Sequence, residues 1–279
     1  MIVWQDKAKN EKIDALTRLV PKKQFDILTL DCLCREYDGT FSHAEIEAGI
    51  VPDRHFRSFF LYYEGKRLAG ELYIFPTDKN KAEITAIVDP HRRQNGIFTK
   101  LLEAAEEELE KYSMTDYVFV AEPGCAATDA VREHLGLETV RSELVMELQE
   151  QTVQEGEREP GASRENNGDK VDFSDTDDGF MASLIMNKLP DRAGVAHVCI
   201  SGGSAFIYGL EIEEKLRSRG LGRKLLNELI KECSRRVPGC KIMLQVGSDN
   251  TAAVALYEKN GFTVSSRLDY LAKKKPENG

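Results

Sequence analysis

A short basic turn with two glycines is the segment of this chain best suited to bind phosphate. Gly220 and Gly222 follow a predicted strand, Ala205 to Ile212, and lie at the start of a predicted helix, Leu221 to Cys233. Glycine lets a ligand approach the backbone, and the first N–H groups of a helix lack intrahelical partners and attract anions. The turn also carries the arginines Arg217, Arg219 and Arg223. The pattern predicts a pyrophosphate site, although an ordinary turn with solvated arginines would have the same sequence features.

The same arrangement occurs in weaker form in the first half of the chain. Placing Arg93 on Arg217 puts Gly96 on Gly220, and in both copies a predicted strand precedes the turn and an amphipathic helix follows it. A repeat of this length indicates duplicated domains. The other predicted elements are helices at 11–20, 97–112, 128–135 and 251–259, and strands at 59–63, 68–75, 82–88, 117–120, 142–148, 180–186, 195–200, 242–246 and 263–271.

A change in composition separates the two copies. Residues 150–178 contain few large apolar side chains and many acids, with a Pro-Gly-Ala-Ser sequence at 160–163. Such a segment cannot bury enough apolar surface to order itself. We therefore expect an N-terminal domain at 1–150, an acidic flexible linker at 151–170 and a C-terminal domain at 171–279.

The overall composition excludes several classes of protein. A net charge of −9 argues against nucleic acid as the main partner, because a phosphate backbone needs a dominant basic surface. No apolar run approaches membrane-spanning length and the N-terminus has no signal pattern, so we expect a cytoplasmic protein that does not bind membranes. The six cysteines lack the spacing of a disulfide framework or a zinc site. We predict free thiols and no bound metal.

Two motifs in the second copy, in the right order and on the right elements, carry a family resemblance. The first is Arg217-x-x-Gly220-x-Gly222, and the second is Asn250-x-x-Ala253-x-x-Leu256-Tyr257-x-x-x-Gly261-Phe262. Together they resemble the acyl-CoA-binding signature of the GNAT N-acetyltransferase superfamily, and with the weaker copy the chain resembles tandem GNAT proteins. The resemblance implies an α/β (α+β) fold of two tandem acyl-CoA N-acyltransferase domains, each a mixed, mostly antiparallel twisted sheet flanked by helices.

The resemblance also implies a binding site for acetyl-CoA. The backbone of Leu210 and Ile212 would face the pantetheine arm and the thioester, and the turn from Arg217 to Gly222 would hold the pyrophosphate. Asn250 would contact the cofactor arm, although it could instead cap the following helix. The implied cofactor-binding residues are Leu210, Ile212, Arg217, Ser218, Arg219, Gly220, Leu221, Gly222, Arg223 and Asn250.

Two catalytic residues are expected in the second domain. Tyr257 matches the family's tyrosine and could protonate the leaving thiolate as a general acid, or it could be a core tyrosine. Glu211 could deprotonate the amine directly or through water, although strand alternation allows it to be merely solvated. Tyr208 is a second candidate base, and ordered water alone is a third possibility.

The first copy departs from the pattern where the chemistry would occur. Phe98 replaces the second glycine, and Cys125 and Arg132 take the places of Asn250 and Tyr257. Arginine cannot supply a proton at neutral pH, so we expect the first domain to be non-catalytic.

We thus expect an acyltransferase that moves an acetyl group from acetyl-CoA directly to a primary amine of a small molecule or protein. The alternative is a non-catalytic CoA-binding regulatory or scaffold module.

Overall fold

The computed structural model describes residues 2–6, 10–41, 54–149, 169–186, 192–201 and 203–273, with the backbone alone for 2–6. These residues belong to two compact units. Unit 1 comprises 1–142 and 268–279, and unit 2 comprises 143–267. Most of the predicted linker, 151–168, lies outside the described residues.

Unit 1 is a sheet with strand order β1-β2-β3-β4-β5-β6-β13, where β13 is Phe262–Lys273. Among these strands only β5 and β6 pair in parallel. Helix α2 and helix α3 pack on the main core, and α1 covers a smaller core on the other face of the sheet. The elements are β1 Ile2–Asp6, β2 Glu11–Leu16, α1 Pro21–Asp38, β3 Phe59–Glu64, β4 Arg67–Asp78, β5 Lys81–Val88, α2 Ile97–Lys111, β6 Asp116–Ala121, α3 Ala126–Leu135 and β7 Leu137–Leu148.

Unit 2 repeats this arrangement with strand order β7-β12-β11-β10-β9-β8, and here β11 and β12 form the parallel pair. Helices α4 and α5 pack against one face of its sheet and enclose a single core cluster. The elements are β8 Lys170–Asp175, β9 Gly179–Ile185, β10 Arg192–Ser201, β11 Ser204–Ile212, α4 Leu221–Arg236, β12 Lys241–Gly247, α5 Thr251–Glu258 and β13 Phe262–Lys273.

Unit 1 is formed by two separate stretches of chain, whereas unit 2 is one continuous stretch. Residues 143–148 of β7 pair with β12 and belong to unit 2, whereas residues 268–273 of β13 belong to unit 1, where 269–271 pair with β6. Each unit therefore takes a strand segment from beyond the sequence boundary that composition suggests.

Apart from the N-terminal region, the predicted helices and strands are present in the structure. The exception is 11–20, where a helix was expected and the structure has strand β2 followed by the start of α1 at Pro21. β2 pairs with strands on both sides and buries Asp14 against Lys12 and Lys23, so its burial does not alternate as in a half-exposed strand. Proline at the first helical position and Gly39 in a left-handed conformation at the end mark the true helix α1.

Strand β8 was also not predicted, because its sequence continues the acidic composition of the preceding segment. It is the counterpart of β2, and the chain then passes directly through 176–178 into β9. Unit 2 consequently has no helix equivalent to α1 between these strands.

The described part of the chain lacks two further features. It contains no helix with the length and apolar character needed to cross a membrane. It also contains no group of three or more His, Cys, Asp or Glu side chains arranged to hold a metal ion.

Candidate functional site

The glycine turn of unit 2 has a specific backbone conformation. Arg217 is extended, Ser218 has φ +62°, and Gly220 has φ +78° immediately before α4 begins at Leu221. A positive φ strongly favours glycine, and a Cβ atom placed on Gly220 would meet no other atom within 4 Å. Gly220 is therefore required by the backbone, and the space beside it is open to a ligand.

Gly222 has a different environment. It lies inside the first turn of α4, where a Cβ atom would be 3.4 Å from Leu256 Cδ2 and 3.8 Å from Ile212 Cγ1. Those are ordinary van der Waals distances. A Cβ atom would therefore fit here, so neither the backbone nor the packing against Leu256 and Ile212 requires a glycine at this position.

The arginines of this turn have no carboxylate partner among the residues that the structure describes. Arg217 donates its Nε–H to the carbonyl oxygen of Ile212 at 3.1 Å, and Arg219 donates to the carbonyl oxygen of Lys215 at 3.1 Å. Both are exposed, and so is Arg223 in the first turn of α4. The positive charge at the helix start is therefore free to attract an anion.

The two parallel strands beside the turn separate before they end. β11 pairs with β12 only from Ser204 to Ile207, opposite Lys241 to Leu244, yet the strands continue to Ile212 and Gly247. Along residues 208–212, the backbone groups of β11 that face β12 form no pairs with β12. Leu210 and Ile212, which were predicted to face the pantetheine arm, lie in this unpaired stretch.

A β-bulge interrupts β11 in the same stretch. Opposite β10, Glu211 pairs with Val195 and Tyr208 pairs with His197, so Gly209 and Leu210 together oppose one residue. Gly209 has φ +59°, as expected where an extra residue is inserted. The insertion shifts the alternation by one: Leu210 and Ile212 pack against the core, whereas Tyr208 and Glu211 are exposed.

This bulge is not apparent from the repeat of the two copies in the sequence. β11 has 9 residues and its counterpart β5 has 8, but an alignment without gaps, anchored on the arginines, concealed the difference. A glycine inside a strand pattern was the available signal.

Tyr257 is buried in the core of unit 2, with 6% of its surface exposed. Its ring makes an edge contact with Phe262 at 5.9 Å between centroids, and no described residue forms a hydrogen bond with its hydroxyl group. Burial raises the pKa of Tyr257 above its ordinary value. The phenol therefore keeps its proton at neutral pH.

Asn250 and Glu211, the remaining predicted site residues, have clear local environments. Asn250 caps α5, because its Oδ1 accepts a hydrogen bond from the N–H of Ala253 at 3.2 Å. Glu211 lines a cleft of about 340 Å³ together with Glu213, Glu214 and Arg217 among others, and no described residue pairs with its carboxylate. The helix-capping alternative for Asn250 is thus realised, whereas the amide nitrogen is available for another contact.

The turn of unit 1 has the same backbone and a different charge environment. Gln94 has φ +62° and Gly96 has φ +75°, and Arg93 donates its Nε–H to Val88 at 3.1 Å, as Arg217 does to Ile212. Arg93 also forms a two-point ion pair with Asp38, at 2.7 and 2.5 Å. Its neighbour Arg92 pairs with Glu64.

Unit 1 also differs from unit 2 in the strand beside the turn and in two side chains. β4 and β5 pair without a bulge from Gly70–Val88 to Ile74–Ile84. The ring of Phe98 lies 6.3 Å from that of Phe119, at the point where β6 stops pairing with β5. Arg132, in the place of Tyr257, is exposed and donates to the carbonyl oxygen of Leu137 at 3.4 Å.

The architecture defines a class of protein: two α/β units, each with a parallel strand pair that separates beside a glycine turn at a helix start. The family model "Acetyltransferase (GNAT) family" matches residues 26–137 and 142–262. The chain belongs to the GNAT family, with two copies of its domain in tandem.

Solved structures share the tandem fold at low sequence identity. A GCN5-related N-acetyltransferase from Sphaerobacter thermophilus is 16% identical, with TM-score 0.72 and 94% of each chain covered. A tandem GNAT protein from the clavulanic acid biosynthesis pathway is 16% identical, with TM-score 0.70, covering 96% of this chain and 100% of its own. These likenesses establish the fold.

One curated relative is similar over a shorter region. The spermine/spermidine N(1)-acetyltransferase of Bacillus subtilis (strain 168) is 32% identical over 72 residues, which is 26% of this chain. The match spans 47% of that relative's length, about half of it.

Proposed function

We propose that this protein transfers an acetyl group from acetyl-CoA to a primary amine, and that unit 2 performs the reaction. The observation that carries the proposal is the difference between the two units. Unit 2 combines an open glycine turn, arginines without described carboxylate partners, separated strands with a bulge, and the buried phenol of Tyr257. Unit 1 also has an open glycine turn and separated strands, but Arg92 and Arg93 are ion-paired. Its strand β5 has no bulge beside the turn, and Arg132 takes the place of Tyr257.

Unit 2 has groups suited to bind the pyrophosphate and the pantetheine arm of CoA. The N–H groups at the start of α4 and the charges of Arg217, Arg219 and Arg223 would hold the pyrophosphate. The unpaired edge of β11 offers backbone donors and acceptors to the amide groups of the pantetheine arm, in the way that an open sheet edge binds an added strand. This contact would direct the thioester towards the bulge at Gly209 and Leu210.

Bound acetyl-CoA supplies an activated acetyl group, which the amine nitrogen takes as the carbon–sulfur bond breaks. One proton must leave the nitrogen and one must reach the sulfur. Tyr257 would donate its hydroxyl proton to the leaving thiolate. General-acid catalysis of this kind typically raises the rate about 10²–10⁴-fold. The backbone N–H groups near the bulge would stabilise the negative charge that develops on the carbonyl oxygen.

The carboxylate of Glu211 is the proposed acceptor of the amine proton, directly or through water. It is exposed beside the bulge and has no described cation partner, so it is accessible to an incoming ammonium group. The acceptor itself is an amine of a small molecule or protein. Because the curated relative is named for spermine and spermidine, polyamines belong first in any panel of acceptors.

An acetylation assay tests the proposal. We expect purified protein to release CoA from acetyl-CoA in the presence of an accepted amine, and Tyr257→Phe to lower kcat about 100-fold with CoA affinity retained. Tyr37→Phe, on the exposed face of α1 in unit 1, is the control and should match the wild type. CoA binding without turnover on a broad amine panel would contradict the proposal and favour a CoA-binding regulatory module.

A further inference from the structure

An aromatic pair lies on the face of the unit 2 sheet opposite α4 and α5. The rings of His197 on β10 and Tyr208 on β11 are stacked, 5.3 Å apart between centroids and inclined by 22°. Tyr208 is 44% exposed, and no described residue forms a hydrogen bond with either side chain. The alternate residues of β10, Ala196 and Val198, are fully buried on the α4 side.

The bulge places Glu211 on the same face as this pair. In a regular strand, residues 208 and 211 would point to opposite faces, because side chains alternate. The insertion at Gly209 and Leu210 restores them to one face, about two strand steps or ~7 Å apart. The pair therefore lies beside the stretch of β11 where the thioester is proposed to bind, and on the side away from the pyrophosphate turn.

Negative charge flanks the pair at its other end as well. The carboxylate of Asp178, in the turn between β8 and β9, is close enough to contribute to the raised pKa of Tyr208, after the effect of burial and together with Cys199. Thr176 donates a hydrogen bond to Asp178 at 3.0 Å and orients it. On the β9 side of the aromatic pair, the guanidinium group of Arg192 contacts the sulfur of Met181 at 3.8 Å. This contact lies at the border of the exposed face.

The connection that carries Asp178 is also what leaves this face without a helix of its own. In unit 1, α1 joins β2 to β3 and covers the equivalent face. In unit 2, residues 176–178 make the same connection as a short turn. No helix between β8 and β9 therefore covers the aromatic pair of unit 2.

We propose that Tyr208 and His197, flanked by Glu211 and Asp178, recognise the acceptor and favour an amine that carries a second positive charge. The inference rests on the proposed acetyl transfer and names its substrate class. The reacting nitrogen must lose its charge before it attacks, whereas a second ammonium group stays charged throughout. An exposed tyrosine ring with carboxylates at both ends attracts such a group through its π face and by charge.

The test compares two acceptors that differ only in the second charge, 1,4-diaminobutane and butylamine. With the wild type we expect kcat/KM for the diamine to exceed that for the monoamine about tenfold or more, and Tyr208→Leu to reduce this ratio about five- to tenfold, mainly through KM. Tyr208→Phe keeps the ring and should keep the ratio. Two control variants should also keep the ratio. They are Glu103→Gln, at an exposed glutamate of α2, and Phe25→Leu, at an exposed aromatic of α1.

Direct binding separates this inference from the proposed reaction. Titration of 1,4-diaminobutane into the protein with CoA present should give a Kd that rises about five- to tenfold in Tyr208→Leu, while CoA affinity stays within twofold. If the wild type acetylates no amine but binds the diamine in this way, the proposed reaction fails and the recognition site stands. Equal kcat/KM for the two acceptors, or a ratio and Kd unchanged by Tyr208→Leu, would overturn the site.

Discussion

Arg93 is held by Asp38 through two hydrogen bonds, of 2.7 and 2.5 Å, from the two terminal nitrogens of its guanidinium group. The pair raises the pKa of Arg93 still further, chiefly through the hydrogen bond itself. Its counterpart in unit 2, Arg217, has the same backbone conformation and no described carboxylate partner. Two turns of one shape thus differ in net charge, which favours anion binding in unit 2.

This difference leads to a prediction about stoichiometry. We expect calorimetric titration to give one CoA bound per chain. Replacing both Arg219 and Arg223 with alanine should weaken CoA binding about tenfold and reduce its salt dependence, because exposed charges near phosphate act through a screened field. Arg235→Ala, in the last turn of α4, is the control. Two molecules of CoA per chain, or unchanged affinity in the double variant, would contradict the assignment.

The two αL glycines provide a matched pair of substitutions. Valine at Gly220 or Gly96 must adopt φ near +78° or +75°, a conformation that a β-branched residue tolerates poorly. Both variants should lose about 1–2 kcal/mol of stability and a few degrees of Tm. Only Gly220→Val should also lose CoA affinity, by tenfold or more. Comparable loss of CoA binding in Gly96→Val would show that the turn of unit 1 also binds the ligand.

The bulge at Gly209 should matter for turnover more than for CoA binding. Alanine there would adopt φ near +59° with its Cβ 3.3 Å from Cδ2 of His197, so the bulge would shift. We expect kcat to fall about tenfold and CoA affinity to change less than threefold, measured by steady-state assay and titration. Gly203→Ala has a similar positive φ of +79° in open space, and it controls for backbone strain alone. Equal kcat values for the two variants would show that the bulge does not contribute to turnover.

The cysteines should differ in reactivity at mildly alkaline pH. Burial raises the pKa of Cys34 and of Cys233 from 9.0 to about 12, so at pH 8 both remain protonated and cannot act as nucleophiles. Cys32 is exposed. Iodoacetamide treatment at pH 8 followed by peptide mass spectrometry should show Cys32 modified first. Rapid modification of Cys34 or Cys233 in the folded protein would contradict their described burial.

Much of the fold could be predicted because its signals are local. The helix after each glycine turn shows a regular apolar face, and Gly136 and Gly261, both with positive φ, follow α3 and α5 as expected. Strand β2 was mistaken for a helix because it is buried through pairing on both sides, which its own residues do not reveal. Strand β8 was hidden for a related reason: its acidic sequence gains strand structure only from pairing with β9.

The sequence by itself determined the duplicated turns, the glycine that each turn needs and the position of Tyr257 in its helix, since these depend on spacing along a few residues. Only the tertiary structure decided that Asp38 neutralises Arg93 across 55 positions, that Tyr257 is buried, and that a bulge brings Tyr208 and Glu211 to one face. These properties depend on which distant segments pack or pair together. Local periodicity carries no information about such pairings, because they form only when the sheet is assembled.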